Sequence, residues 1–162
     1  MKSIGLRVYS NSEIYYTVVE QLPNGTLNYL TVSSLIAPKA LEKPEQLNFV
    51  RNTLLDIFME YSVTRAGIRL SEFTGFAATS ITVERNYLEG LIQEAVASSL
   101  IEKYVAGQIA TITSLLNVDR EDFKKYASAE MTYNQIPADM DWKKLKLEQR
   151  ESILVCLCAF NL

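Results

Sequence analysis

Glu148 and Glu151 stand three residues apart, so on a helix their carboxylates face one direction, about one turn from each other. Like charges that close favour a cation between them. The same spacing also has a plainer use: acids early in a surface helix complement its positive end, and Lys144 can pair with Glu148 at i,i+4. The chain has no histidine, which excludes Ser-His and Cys-His nucleophile pairs and the common zinc hydrolase sites. Carboxylates, Lys, Tyr and Ser remain as reactive groups. Cys156 and Cys158, two apart in an apolar segment, read as buried free thiols rather than a disulfide or a ligand pair. Lys143, Lys144 and Lys146 cluster just before the paired acids, either to touch phosphates beside them or as a solvated helix start.

The elements that must position these groups follow from patterning. Residues 2–9 alternate, with Ile4, Leu6 and Val8 on one face and Gly5, Arg7 and Tyr9 on the other, as a strand requires. Residues 14–19 and 27–35 are dense in β-branched and aromatic residues around the turn signal Pro23-Asn24-Gly25, which predicts a three-stranded meander. Tyr9, Tyr15, Tyr16 and Tyr29 lie on it; exposed, they suit a protein interface, and buried, they cap the core. Pro44 opens a helix carrying Leu47, Val50, Leu54, Ile57 and Tyr61 at three- and four-residue steps. Residues 66–73 read as a fourth strand running into a small-residue loop over 74–80, followed by a long helix over 83–104. A short fifth strand is predicted over 104–109. Residues 110–116 suit strand or helix, a helix capped by Asn117 or Asp119 extends to about 131, and 132–141 forms a loop around Pro137. A last helix starts at Trp142 or Leu147 and ends near Phe160.

At 162 residues, with no repeat or linker, the chain is expected to form one domain over 1–162 with a core that needs neither disulfide nor metal. No apolar run reaches the ~20 residues that span a bilayer. The segment Met1-Lys2-Ser3-Ile4 lacks a signal peptide's apolar stretch, so no membrane partner and a cytoplasmic location are expected. Net charge is −3 and the basic residues are scattered, so broad electrostatic binding of nucleic acid is not indicated, whereas a local basic edge beside an acidic site is compatible.

Three local motifs carry a resemblance that spans nearly the whole chain: Gly5-Leu6-Arg7, Leu70-Ser71-Glu72, and Glu148-Gln149-Arg150-Glu151 with the apolar run after it. The chain resembles the RuvC family of Holliday-junction resolvases, which has Gly-Ile-Asp on strand one, a Glu ending strand four and Asp-x-x-Asp at the start of its last helix. Arg85-Asn86-Tyr87-Leu88-Glu89-Gly90 resembles the family's helix after strand four, and Phe73 and Phe76 stand where the family has an aromatic residue near its site. The resemblance implies an α/β, RNase H-like fold: a five-stranded mixed sheet flanked by helices. Two departures stand out. Arg7, or Val8 if the register slips by one, replaces the first-strand acid, and Ala110 stands where the family has a base.

On that resemblance Glu72, Glu148 and Glu151 would form most of a Mg2+-binding catalytic shell for phosphodiester cleavage, with Mg2+ needed if the site is active and no cofactor otherwise. Lys143, Lys144 and Lys146 would touch phosphates of branched or single-stranded DNA. Phe73 and Phe76 would stack on an unpaired base or fill core. Arg7 has two readings. Pointing inward, its guanidinium takes the cation position and pairs with Glu72 or Glu148, blocking the site; pointing into solvent, it leaves room for Asn11 or Glu13 as a ligand. The implied function is therefore a RuvC-like protein impaired in cleavage and acting in nucleic-acid binding. The alternatives are a scaffold or interaction module on the same fold, as a homodimer through the helix over 83–104, or an active nuclease with a shifted carboxylate set.

Overall fold

The computed structural model describes residues 1–72 and 79–162, so Phe73, Phe76 and most of the loop expected over 74–80 lie outside the described residues. Strand β1 (Lys2–Val8) pairs antiparallel with β2 (Glu13–Gln21), which pairs antiparallel with β3 (Leu27–Ile36). Helix α1 (Lys43–Tyr61) then leads to β4 (Arg65–Arg69), parallel to β1, and α2 (Ser80–Ala97) leads to β5 (Lys103–Gly107), parallel to β4. The sheet order β3-β2-β1-β4-β5 is the mixed five-stranded sheet anticipated from the sequence. Helices α3 (Ile109–Leu116), α4 (Arg120–Ser128) and α5 (Leu147–Cys158) complete the chain, with short 3-10 turns at Trp142–Lys144 and Ala159–Asn161. Among the described residues no helix is long and apolar enough to cross a membrane.

Several boundaries move from their expected places for local reasons. Strand four ends at Arg69 rather than running to residue 73, because Ser71 and Glu72 turn their hydrogen-bonding groups to neighbouring helices. The second helix stops at Ala97, not 104: the hydroxyls of Ser98 and Ser99 donate back to the carbonyls of Ala95 and Val96 and the helix does not continue. The ambiguous segment 110–116 is helical. Its end falls on Asn117, whose left-handed backbone (φ 54°) suits an asparagine. Trp142 sits on a 3-10 turn and the last helix begins at Leu147.

Two apolar cores flank the sheet. One lies under α1 and α2 and takes Ile4, Leu6, Val8, Val50, Leu54, Ile68, Leu88 and Ile92. The other lies under α3, α4 and α5 and takes Val19, Phe123, Trp142 and Ile153 to Cys158. Helix α5 is buried over every residue from Arg150 to Cys158, so it is an internal wall and not the surface helix that the plainer reading of its acids required. It lies against the sheet at backbone contact: a Cβ on Gly5 would fall 1.9 Å from the Ser152 carbonyl oxygen, and one on Gly67 2.1 Å from that of Val155. Hydrogen bonds fasten the contact. Ser3 Oγ donates to the Cys156 carbonyl at 2.8 Å, and the Thr17 and Ser152 hydroxyls are 2.7 Å apart. Arg150, also buried, donates to the carbonyls of Ala127 (2.6 Å) and Trp142 (3.3 Å), tying α5 to α4 and the 3-10 turn.

Both cysteines are free and buried, and burial pushes each thiol up to about 12. Thiolate is the reactive form. A disulfide reagent at pH 8 is therefore expected to label neither Cys156 nor Cys158 in the folded chain, and to label both at least ~100-fold faster in denaturant. Rapid labelling without denaturant would contradict the packing of α5.

Candidate functional site

Strands β1 and β4 carry the same Gly-x-Arg motif near their carboxyl ends, Gly5-Leu6-Arg7 and Gly67-Ile68-Arg69, and the parallel register sets Gly5 beside Gly67 and Arg7 beside Arg69. Alternation turns both arginines to the face that α5 covers. The glycines two residues earlier let that helix come close enough for an acid on its first turns to reach them.

That acid is Glu151, 4% exposed. Arg7, 9% exposed, donates from Nε to Glu151 Oε2 at 2.6 Å, while Arg69 Nε lies 3.4 Å from Oε1. One carboxylate thus separates two guanidinium groups that would otherwise repel in a dry setting. Arg7 also donates from Nη1 to the Arg69 carbonyl at 3.3 Å.

A second carboxylate comes from α2. Glu89 is buried, lies 3.9 Å from Arg7 Nη1, and accepts from the backbone N–H of Ser71 at 3.0 Å and from its hydroxyl. One turn earlier on α2, Arg85 lies 3.8 Å from Glu89 and donates to the Val8 carbonyl at 2.8 Å. Burial, then the charge of Arg7, holds the Arg85 guanidinium below its usual range; burial does the same to Arg69, with Glu151 opposing it.

Glu72 is the third. Its Oε1 accepts from the backbone N–H of Ile109 at 2.9 Å, the first residue of α3, and lies 3.4 Å from Arg69 Nη2. Arg120 on α4 reaches its other oxygen at 3.9 Å. Gln108 donates to the Ser71 carbonyl at 3.2 Å, so both α2 and α3 grip the end of β4.

The six central groups therefore alternate in charge: Arg7, Arg69 and Arg85 against Glu72, Glu89 and Glu151. This donor set does not fit a divalent cation. Both oxygens of Glu151 face guanidinium groups, one oxygen of Glu72 caps a helix, and each carboxylate is already neutralised. Among the described residues, no group of three or more His, Cys, Asp or Glu is placed to hold a metal ion.

The remaining candidates fall outside this cluster. Glu148 is half-buried one turn before Glu151, with no ion pair among the described residues. Lys144 pairs with Asp141 at 3.2 Å rather than with Glu148, and Arg7 takes Glu151 and Glu89 rather than Glu72 or Glu148. The Lys143–Lys146 cluster diverges: Lys143 is exposed, and Lys146 donates to the Tyr15 hydroxyl at 2.7 Å. Asn11 turns away, its amide donating to Glu84 at 2.9 Å while Lys43 donates to its carbonyl. Glu13 opens β2, half-buried, and makes no ion pair among the described residues. Ala110 is exposed in the first turn of α3 and carries no charge to the site, where Arg120 is the nearby base. Sequence reasoning missed Arg69 and the parts played by Arg85 and Glu89. The signal was present in the repeated Gly-x-Arg at 5–7 and 67–69, and in the i,i+4 spacing of Arg85 and Glu89.

No protein-family model matches the sequence, and no curated protein matches it. Solved structures do. The RuvC of Thermus thermophilus, solved in complex with a Holliday junction substrate, matches 99% of this chain over 94% of its own length, with a TM-score of 0.69 at 10% identity. A second structure of Thermus thermophilus RuvC gives 0.67 over the same shares. A yeast mitochondrial Holliday junction resolvase gives 0.56 at 10% identity, with 98% of this chain and 78% of its own covered. The fold is therefore RuvC-like, within the RNase H-like class, as the sequence motifs implied.

Proposed function

We propose that this chain is a RuvC-like protein that binds branched or single-stranded DNA and does not cleave it. One observation carries the loss of cleavage: the 2.6 Å hydrogen bond from Arg7 to Glu151 at the carboxyl end of β1. A divalent ion about 5 Å from that guanidinium would meet roughly 7 kcal/mol of repulsion at an effective dielectric constant near 20. The three carboxylates that would offset it are matched by three arginines.

Binding rests on different groups. Lys43, Arg120 and Lys146 make contacts at this end of the sheet, and guanidinium and ammonium groups suit phosphate oxygens. The Thermus relative of the same fold was solved with a four-way DNA substrate. Net charge of −3 limits the expectation to a local contact that weakens as salt rises.

The test is a mobility shift on a four-way junction, a single strand and a duplex at ~150 mM salt, with cleavage followed in Mg2+ and Mn2+. A shift on the junction or single strand, no product, and no heat on titration with either metal is the expected result. Cleavage that Glu151→Gln abolishes would overturn the silent reading. Absence of a shift on every DNA would overturn binding and leave a scaffold role, which the acidic net charge and the exposed Ile81, Val83 and Tyr87 of α2 would then favour.

A further inference from the structure

Tyr9 follows the last residue of β1, two residues beyond Arg7. It does not cap the core: it is 48% exposed, whereas Tyr15, across the β1–β2 turn and opposite Arg7, is buried. The two rings meet edge to face, with centroids 6.0 Å apart and planes at 63°. In that arrangement an edge of one ring meets a face of the other, so at least one face of Tyr9 stays open.

The backbone under this ring is held on both sides. The Tyr9 N–H donates to the Glu13 carbonyl at 3.0 Å, and Arg85 on α2 fixes the Val8 carbonyl at 2.8 Å. Two ammonium groups flank the turn, one from each face of the sheet. Lys43, the first residue of α1, donates to the Asn11 carbonyl at 3.1 Å. Lys146, just before α5, donates to the Tyr15 hydroxyl at 2.7 Å and stands 5.4 Å from the centroid of the Tyr15 ring. Lys43 is shared with Glu84 at 2.8 Å, while Lys146 is exposed and makes no ion pair among the described residues.

We propose that the open face of Tyr9 stacks an unpaired base of a DNA strand crossing this turn, with Lys146 and Lys43 on the phosphates to either side of that base. The placement rests on the DNA-binding reading and adds where a base is held. A stacked nucleotide carries a phosphate on each side, and the ring has a cation on each side. The residues after Tyr9 are Ser10, Asn11 and Ser12, so the ring stands among polar groups, which suits a base and its phosphates better than an apolar protein surface. An aromatic face accepts any base, and a base inside a duplex has both faces covered by its neighbours. The contact therefore selects unpaired strands with little regard to sequence. The arginine cluster takes no part in it.

Titration with an oligothymidine of about 12 nucleotides tests the platform. Tyr9→Leu is expected to weaken binding at least about tenfold, with the slope of log affinity against log salt unchanged because no phosphate contact is lost. Tyr9→Phe keeps the ring and is expected to bind like the unaltered chain. Lys146→Met is expected to weaken binding and to lower the salt slope by about 0.7. Tyr9→Trp supplies a direct signal: the chain's one natural tryptophan, Trp142, is buried, so quenching of the introduced indole as the oligonucleotide binds reports the stack. Binding by Tyr9→Leu as tight as that of the unaltered chain, an introduced indole that stays unquenched, or an unchanged salt slope in Lys146→Met would each overturn the proposal and leave DNA binding standing. An unaltered chain that binds neither the oligonucleotide nor a four-way junction would overturn both.

Discussion

Glu151→Gln lowers the unfolding free energy by about 3–5 kcal/mol, measured by urea denaturation at neutral pH. The substitution keeps the shape of the side chain and removes its charge, so the cost is that of leaving Arg7 and Arg69 buried side by side without the carboxylate between them. The sign separates two kinds of site. Where carboxylates converge on a cation, the metal-free protein carries mutual repulsion, and neutralising one acid is neutral or stabilising. Here the acids are already matched, and the loss of one exposes a surplus of positive charge. Arg7→Met is expected to cost less, about 1–3 kcal/mol, because Arg69 still holds Glu151. Glu148→Gln, with no ion pair among the described residues, should stay within about 0.5 kcal/mol of the unaltered chain. An unaltered or raised urea midpoint in Glu151→Gln would show that the arginine cluster does not hold the site as its geometry indicates.

Gly67→Ala and Gly5→Ala come next in size. Overpacking usually costs about 1–3 kcal/mol when a flexible side chain can yield. At these positions the obstacle is the backbone of α5, 2.1 Å from the added carbon at Gly67 and 1.9 Å at Gly5, so the helix itself must shift. The expected loss is at least about 3 kcal/mol for each, with a fall in soluble yield. Gly90→Ala is the control: its Cβ would meet nothing within 4 Å at an exposed position of α2, and helix propensity alone should raise stability by about 0.5–1 kcal/mol. Wild-type stability in Gly67→Ala would mean that α5 sits farther from the sheet than described.

Much of the fold was legible because alternation and helical spacing act locally. Ile4, Leu6 and Val8 announced β1, and Val50, Leu54 and Ile57 the buried side of α1. The boundaries that moved were set by contacts made at a distance. Ser71 and Glu72 continue an extended pattern in sequence, yet their partners are Glu89 on α2 and the N-terminus of α3. Helix α3 carries β-branched residues that suit either state, and its packing on α5 decides between them.

The site was half legible for a related reason. Alternation fixed the face that Arg7 occupies, whereas whether that face meets solvent or a helix depends on α5, some 144 residues away. The acids at 148 and 151 were read as a pair, and burial divides them: one is locked between two arginines and the other is left at the margin.

The position of α5 also bears on how the chain comes to be folded as it is made. Ser3 and its hydrogen-bond partner Cys156 are 153 residues apart, and both apolar cores lean on a sheet that α5 braces from one side. All five strands precede that brace along the chain. Before Glu151 is added, the acids available to Arg7 and Arg69 are Glu89 and Glu72. Synthesis therefore delivers the two arginines early and the acid that bridges them late, so burial of the cluster waits for α5.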